Sequence, residues 1–344
     1  MSSTAVLPMA DPAVPRVLVR GAGALADRVA ALLDDHEVVI DDGRADPDGV
    51  VSLDPGGFDI VVELSVGDHD AMARRRRSAT VAADRLVSMA SSVGAEHLVL
   101  VSSAMAYGAS PNNPVPLTEE AILRPDPRFI YARQLATAEL LVERWRHGAD
   151  GRSATVLRPA IPMAADGSSS LARALAAGFG QRFAQSRPGS QFVHLDDVAT
   201  AVALGVRERL DGVFNVAPDG WIPGERLLAL TGDELRVPLP DRVAEVVEAL
   251  RWRFQRGPIP PGLRSYTQFP WSVANDKLKA CGWRPTVTNE QVYVEGTEGR
   301  WWTTITPKRR QELALGGLVA VVVAAIAATV SLVAWSRARR SRPD

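Results

Sequence analysis

Arg16-Val17-Leu18-Val19-Arg20-Gly21-Ala22-Gly23-Ala24-Leu25-Ala26 is the stretch from which the fold can be read. A short apolar run, 16–20, ends on a glycine. A helical pattern follows over residues 24–33, and a second apolar run, 38–40, ends in Asp41 and Asp42. Strand, turn, helix and strand in that order make a βαβ unit, whose two strands must be parallel. The same alternation continues outward. Strands are expected at 59–64 (DIVVEL), 97–102 (HLVLVS) and 153–157 (SATVL), with helices at about 82–93 and 131–145 between them. Strands alternating with helices imply a parallel sheet covered on both faces. Beyond Pro159 the alternation becomes irregular, with Gly- and Pro-rich pieces at 212–224 and 257–262. A smaller lobe over the ligand cleft is expected there.

The glycine turn carries the first functional signal. Residues 21–26 fit G-x-G-x-x-A between a strand and its helix. Gly21 allows the tight turn, Gly23 lets backbone approach a pyrophosphate, Ala24 opens the helix, and Ala26 permits close helix–strand packing. Free N–H groups of the helix N-terminus then face the phosphates. Asp41 follows Gly21 by 20 residues, at the end of the second strand. A carboxylate there accepts hydrogen bonds from an adenosine ribose and repels a 2'-phosphate, so NAD is expected in preference to NADP. The fold class is therefore α/β: a Rossmann-type doubly wound parallel sheet with a smaller C-terminal substrate lobe, followed by one transmembrane helix.

VSSAMAYG at 101–108, PLTE at 116–119 and YARQL at 131–135 follow in order, and downstream come LRP at 157–159, QFVHLDDV at 191–198 and DKLKACGWRP at 276–285. This series resembles the extended short-chain dehydrogenase/reductases, the NAD-dependent epimerase/dehydratase superfamily, over residues 16–290. The resemblance implies that Ser103 orients a substrate oxygen and that Tyr131 moves the proton. It places Tyr131 and Pro159 beside the cofactor, and it implies homodimerisation through helices of the first domain. Three positions depart from the family pattern. The family lysine four residues after the tyrosine is Leu135, so the cation that would lower a phenol's pKa from near 10 is missing from its helical neighbour. In the G-x-x-G-x-x-G register common in the family, Ala24 and Asp27 replace glycines. Glu63 stands where histidine is frequent. Two functions stay open: an epimerase/dehydratase-like oxidoreductase acting on a nucleotide sugar or lipid-linked substrate, and a scaffold or sensor that binds NAD or a nucleotide sugar without turnover.

Several weaker signals have plainer readings. Ser103 can cap the end of its strand, and Tyr131 can be an ordinary half-buried aromatic. Tyr107 reads as a pocket wall and not an acid. His194 with Asp197 reads as capping and packing before a helix, and Arg158 as lobe packing or a phosphate contact. The arginines at 74–77 read as a solvated face, or as a contact for anionic headgroups. The segment 241–256 reads as an amphipathic helix of the second lobe.

Composition excludes other classes. Formal net charge is -1, so no basic field calls for nucleic acid. A single cysteine, Cys281, and five histidines without ligand spacing leave no metal site visible in the sequence. Residues 313–335, LALGGLVAVVVAAIAATVSLVAW, carry no charge. As a helix they would rise roughly 34 Å, enough for a hydrocarbon core of about 30 Å. Cations flank both ends, and the tail carries slightly more of them. A fold for a cytoplasmic cofactor and an N-terminus without a secretory pattern favour a cytoplasmic folded part and a translocated tail. The expected division is an arm (1–15), a dinucleotide-binding part (16–158), a substrate lobe (159–306), a membrane helix (313–335) and a basic tail (336–344).

Overall fold

The computed structural model describes residues 14–42, 57–67, 79–166, 168–179, 188–231 and 261–297. The segments 74–77, 241–256 and 313–335 lie outside these residues. Among the described residues, no helix is long and apolar enough to cross a membrane.

The opening stretch folds as β1 (Arg16–Arg20), α1 (Ala24–Leu32) and β2 (Glu37–Asp41), with β1 and β2 parallel and in register from Arg16 against Glu37 to Arg20 against Asp41. Next come β3 (Ile60–Glu63), α2 (Ala79–Ser92), β4 (His97–Val101), α3 (Ile130–His147) and β5 (Ser153–Pro159). β6 (Ile161–Met163), α4 (Ser170–Phe179), β7 (Phe192–His194), α5 (Leu195–Arg207), β8 (Gly212–Val216) and α6 (Gly224–Thr231) follow. The short helices α7 (Arg264–Gln268) and α8 (Asp276–Ala280), then α9 (Asn289–Thr297), end the described chain.

Six parallel strands form the main sheet in the order β2-β1-β3-β4-β5-β8. Every residue of β3 and β4 is buried, which is why both read as unbroken apolar runs in the sequence and not as alternating ones. β2 lies at an edge and leaves Ile40 exposed. The sixth strand comes from beyond residue 158. After β5 the chain leaves for the two-stranded β6–β7 sheet, and β8 returns beside β5. The irregular spacing past Pro159 hid this return.

Strand order also locates the cleft. From β1 the chain crosses to β2 on one side, and from β3 it runs to β4 and β5 on the other. Right-handed crossovers then put α1 on one face and α2 and α3 on the opposite face. α5 packs against α1, and α2 packs against α3. Adjacent strands whose connections depart in opposite directions leave a crevice at their carboxyl ends, and in open α/β sheets that crevice takes the ligand. Here it opens above β1 and β3.

Candidate functional site

Gly21 and Gly23 carry the chain out of β1 with φ of 147° and 92°. The two glycines serve different purposes. A Cβ on Gly21 would stand 3.0 Å from the Leu64 Cβ, so the β1 and β3 loops approach too closely for a side chain. A Cβ on Gly23 would meet nothing within 4 Å. The space over Gly23 is open, and α1 begins behind it with no side chain capping its N-terminus. Uncapped N–H groups beside an open glycine backbone fit a pyrophosphate. Asp27 in the first turn is exposed and adds one carboxylate nearby. Ala26 is buried, as helix–strand packing requires.

At the end of β2 the structure adds an ion pair that the spacing alone did not show. Asp41 does lie beside the turn, with Gly21 N–H donating to its carbonyl at 3.0 Å. Its carboxylate, however, is paired. Arg20 Nε reaches Asp41 Oδ2 at 3.3 Å while Arg20 Nη1 reaches Glu63 Oε2 at 3.0 Å. The register sets this arrangement, because Arg20 lies directly between Asp41 on β2 and Glu63 on β3. Glu63 is fully buried, and its other oxygen accepts from Ser65 N–H at 2.8 Å, from Val66 N–H at 3.2 Å and from the Ser65 hydroxyl. The departure at Glu63 thus has a local purpose: a buried carboxylate caps the loop after β3 and shares Arg20 with Asp41.

That loop ends against Tyr131 of α3. Gly67 packs on the carbonyl oxygens of Val101 and Ser102, leaving no room for a Cβ. The Tyr131 hydroxyl donates to the Gly67 carbonyl at 2.6 Å. Tyr131 is 8% exposed, and its phenol holds its proton toward a backbone acceptor. Ser103 caps the 3-10 turn Ala104–Tyr107, its Oγ accepting from Met105 N–H at 3.2 Å. Leu135, one helical turn beyond Tyr131, is fully buried in the apolar core. That position of α3 supplies no cation to the phenol.

The next turn on the same face holds Glu139, and here a cation does appear. Arg158 from β5 reaches Glu139 Oε2 through Nη2 at 2.6 Å and through Nε at 3.1 Å. Ser102 Oγ donates to Glu139 Oε1 at 2.5 Å. The guanidinium lies 4.6 Å from the centre of the Tyr107 ring, and the Tyr107 hydroxyl donates to Asn215 Oδ1 at 2.8 Å. Burial pushes the Tyr107 phenol up to about 12, so it is no acid for neutral pH. Arg158 is therefore a packing residue that joins α3, β5 and the Tyr107 turn. Pro159 ends β5 beside Val216 of β8.

Other sequence candidates fall into structural roles. His194 is the N-cap of α5, its Nδ1 accepting from Asp196 N–H at 3.2 Å. Asp197 is fully buried and accepts from Thr286 N–H at 2.9 Å and Thr286 Oγ1 at 2.6 Å, which fastens the Gly-Trp-Arg-Pro segment to α5. Among the described residues, no group of His, Cys, Asp and Glu could hold a metal ion. Sequence reasoning missed Arg20, Gly67 and the Glu139–Arg158 pair. For Arg20 a signal existed, since a cation immediately before the first glycine of a buried strand needs a partner.

An open doubly wound sheet with a glycine turn at its switch point defines the class: a Rossmann-type α/β protein. Over residues 45–217, half of the chain, the sequence matches the NAD dependent epimerase/dehydratase family, and the chain belongs to it. The match begins past the glycine turn and Asp41. No curated protein matches the chain in sequence. Among solved structures it resembles the Thermus thermophilus UDP-glucose 4-epimerase complexed with NAD, at 20% identity and a TM-score of 0.58, covering 85% of this chain and 100% of that one. It also resembles the Thermotoga maritima UDP-glucose 4-epimerase with UDP-glucose, at 19% identity and a TM-score of 0.57, covering 83% and 98%. A third is the human epimerase family protein SDR39U1 (isoform 2) with NADPH, at 16% identity and a TM-score of 0.58, covering 83% and 100%. At these identities the likeness is one of fold.

Proposed function

We propose that this chain holds NAD along the carboxyl end of its sheet and acts as an epimerase/dehydratase-like oxidoreductase on a nucleotide sugar or a lipid-linked substrate. Residues 313–335 fix it to a membrane, with the folded part on the cytoplasmic side. The observation that carries the reading is the turn at Gly21 and Gly23, where open space and an uncapped helix N-terminus meet at the switch point. Membership of the family and the nucleotide-bound neighbours support it. Gly21, Gly23, Ala24 and Ala26 shape the pyrophosphate cradle, and Asp41 lies at the ribose end. When bound, the nicotinamide supplies hydride transfer. The chain's own part is to place a substrate oxygen near Ser103 and to hold a proton at the Tyr131 hydroxyl.

A second reading, a module that binds without turnover, is favoured by one observation. Leu135 is sealed in the core, and the Tyr131 hydroxyl is spent on the Gly67 carbonyl. Calorimetric titration of the full-length protein with NAD tests the common ground of both readings, and absence of binding at millimolar ligand sinks them together. Turnover over a panel of UDP- and dTDP-sugars separates the two. Binding without conversion, and with no gain on Leu135→Lys, selects the module. Membrane fractionation with protease protection of the tail tests the anchor.

A further inference from the structure

The helix behind the glycine turn also grips the chain past β5. Arg28 lies one turn into α1, and its side chain runs back toward the helix N-terminus, as helical side chains do. There Nη1 donates to the Ala24 carbonyl at 3.1 Å. Nε donates to Asp196 in the first turn of α5, the helix that packs on α1. These two contacts hold the guanidinium against the body of the main sheet. Nη2 reaches away from it, to both carboxylate oxygens of Asp166 at 2.9 and 3.1 Å. Asp166 lies three residues past β6, in the part of the chain that leaves the main sheet after β5. That turn is held locally. Ser168 Oγ accepts from Ala164 N–H at 3.1 Å and donates to the Ala164 carbonyl at 2.7 Å, and Gly296 of α9 packs on Met163 and Ser168 too closely for a Cβ. One ion pair thus ties the turn after β6 to the helix whose N-terminus forms the cradle.

We infer that the Arg28–Asp166 pair is a strap: it holds the turn after β6 beside the phosphate cradle, and a bound dinucleotide leaves when the pair opens. The strength of the pair suits that duty. Asp166 is 61% exposed and Arg28 24%, and an exposed pair of this kind shifts an equilibrium only a few-fold, so it opens readily. A pair as buried as Arg158 and Glu139 would stay shut. Asp196 is the positioning residue, aiming the guanidinium from α5. Asp166 by its charge alone is a poor neighbour for a pyrophosphate, yet as half of the strap it retains one. Charge and strap therefore predict opposite signs when that carboxylate is removed. The strap rests on the dinucleotide reading above and adds how the site keeps what it binds.

The test is stopped-flow displacement of NADH from the full-length protein by excess NAD, read as loss of NADH fluorescence. Asp166→Asn deletes the pair on an exposed turn and leaves the cradle intact. At low salt it should speed release by about threefold to fivefold, with association changed by less than about twofold. Charge alone predicts the reverse, because a carboxylate removed from beside an anionic ligand slows release. Arg28→Gln should also speed release, and adding Asp166→Asn to it should bring no further gain, since both changes break one bond. In about 1 M salt, where screening acts over about 3 Å, the parent should release as fast as Asp166→Asn. Release from Asp166→Asn that is unchanged or slower than the parent's overturns the strap, as does a double variant whose two effects multiply. Failure of the parent to bind NADH removes the dinucleotide reading itself, and the strap falls with it.

Discussion

At the β1–β2–β3 end of the cleft an arginine lies between two carboxylates, with its charge partly open to solvent. Along α3 the reverse holds: the position one turn past Tyr131 is a buried leucine, and the turn after it holds Glu139, which takes up the charge of Arg158 from β5. One region holds a cation shared by two carboxylates on adjacent strands, and the other has an apolar side chain where the family pattern has a lysine. The difference teaches that binding and proton transfer are separable demands on one sheet. A phosphate cradle needs only backbone and a glycine, whereas lowering a phenol's pKa needs a cation on one face of one helix. Arg158 illustrates the second point. It lies on the correct side of the molecule, yet a guanidinium already paired to a buried carboxylate has little field left for a phenol two turns away.

The largest expected effect comes from breaking that pair. Arg158 and Glu139 are each only 6% exposed, so Glu139→Gln strands a buried guanidinium and should lower unfolding free energy by about 3–5 kcal/mol in urea denaturation. Replacing both, by Glu139→Leu with Arg158→Met, should recover most of the loss. A neutral Glu139→Gln would contradict the comparison, since Arg158 would then be free to serve the cleft.

Acid separates the cleft from the base of the sheet. His97 begins β4, fully buried, with Nδ1 2.7 Å from Ser153 Oγ and Nε2 3.1 Å from the Gly205 carbonyl. Burial holds it down to about 4, against an ordinary 6.5. On acidification the unfolded chain therefore takes up this proton before the folded one does. The associated stability is complete above pH 6.5 and drains as pH falls toward 4, by on the order of 3 kcal/mol. His97→Gln should flatten that slope. If the slope persists, the acid sensitivity belongs to groups other than His97.

Next in size is the glycine turn. Gly23→Ala forces a side chain onto a φ of 92° and a ψ of -169°, a region costing about 1–3 kcal/mol for residues other than glycine. No protein atom is displaced, so the stability loss should stay in that range while NAD affinity falls at least about tenfold. At Gly21 the same change also drives a methyl toward Leu64 and should cost more stability. A Gly23→Ala protein with unchanged affinity would detach the cradle from the ligand.

Legibility followed the same divide. The βαβ start, the buried strands and the Gly21–Gly23 turn were readable, because period and backbone demand leave marks on residue types. The β8 return was not, since nothing in Gly212–Val216 says which sheet it joins. Asp41's place at the end of β2 followed from spacing, but its pairing with Arg20 needed the strand register, which sequence alone does not supply. His194 and Asp197 were readable as capping and packing because an acid-rich first turn before an apolar helix marks an N-terminus. Glu139–Arg158 was invisible for the opposite reason. A carboxylate on a helix reads as solvated unless its partner, 19 residues away on a strand, is known to face it.

The smallest effect asks which duty the Tyr131 hydroxyl performs. Tyr131→Phe removes a donor to the Gly67 carbonyl, made at 2.6 Å, and should cost about 0.5–1.5 kcal/mol, with more if the carbonyl is left dry. Gly67 is wedged against the ends of β4, so the loop after β3 should keep its course and NAD affinity should change by less than about threefold. Turnover then carries the decision. A protein that converts a sugar nucleotide but loses that activity in Tyr131→Phe, at unchanged NAD affinity, uses this phenol for proton transfer, and the Gly67 bond is its resting partner. If activity survives the change, the hydroxyl is a structural tie, and the charge-poor turn of α3 has no proton to move.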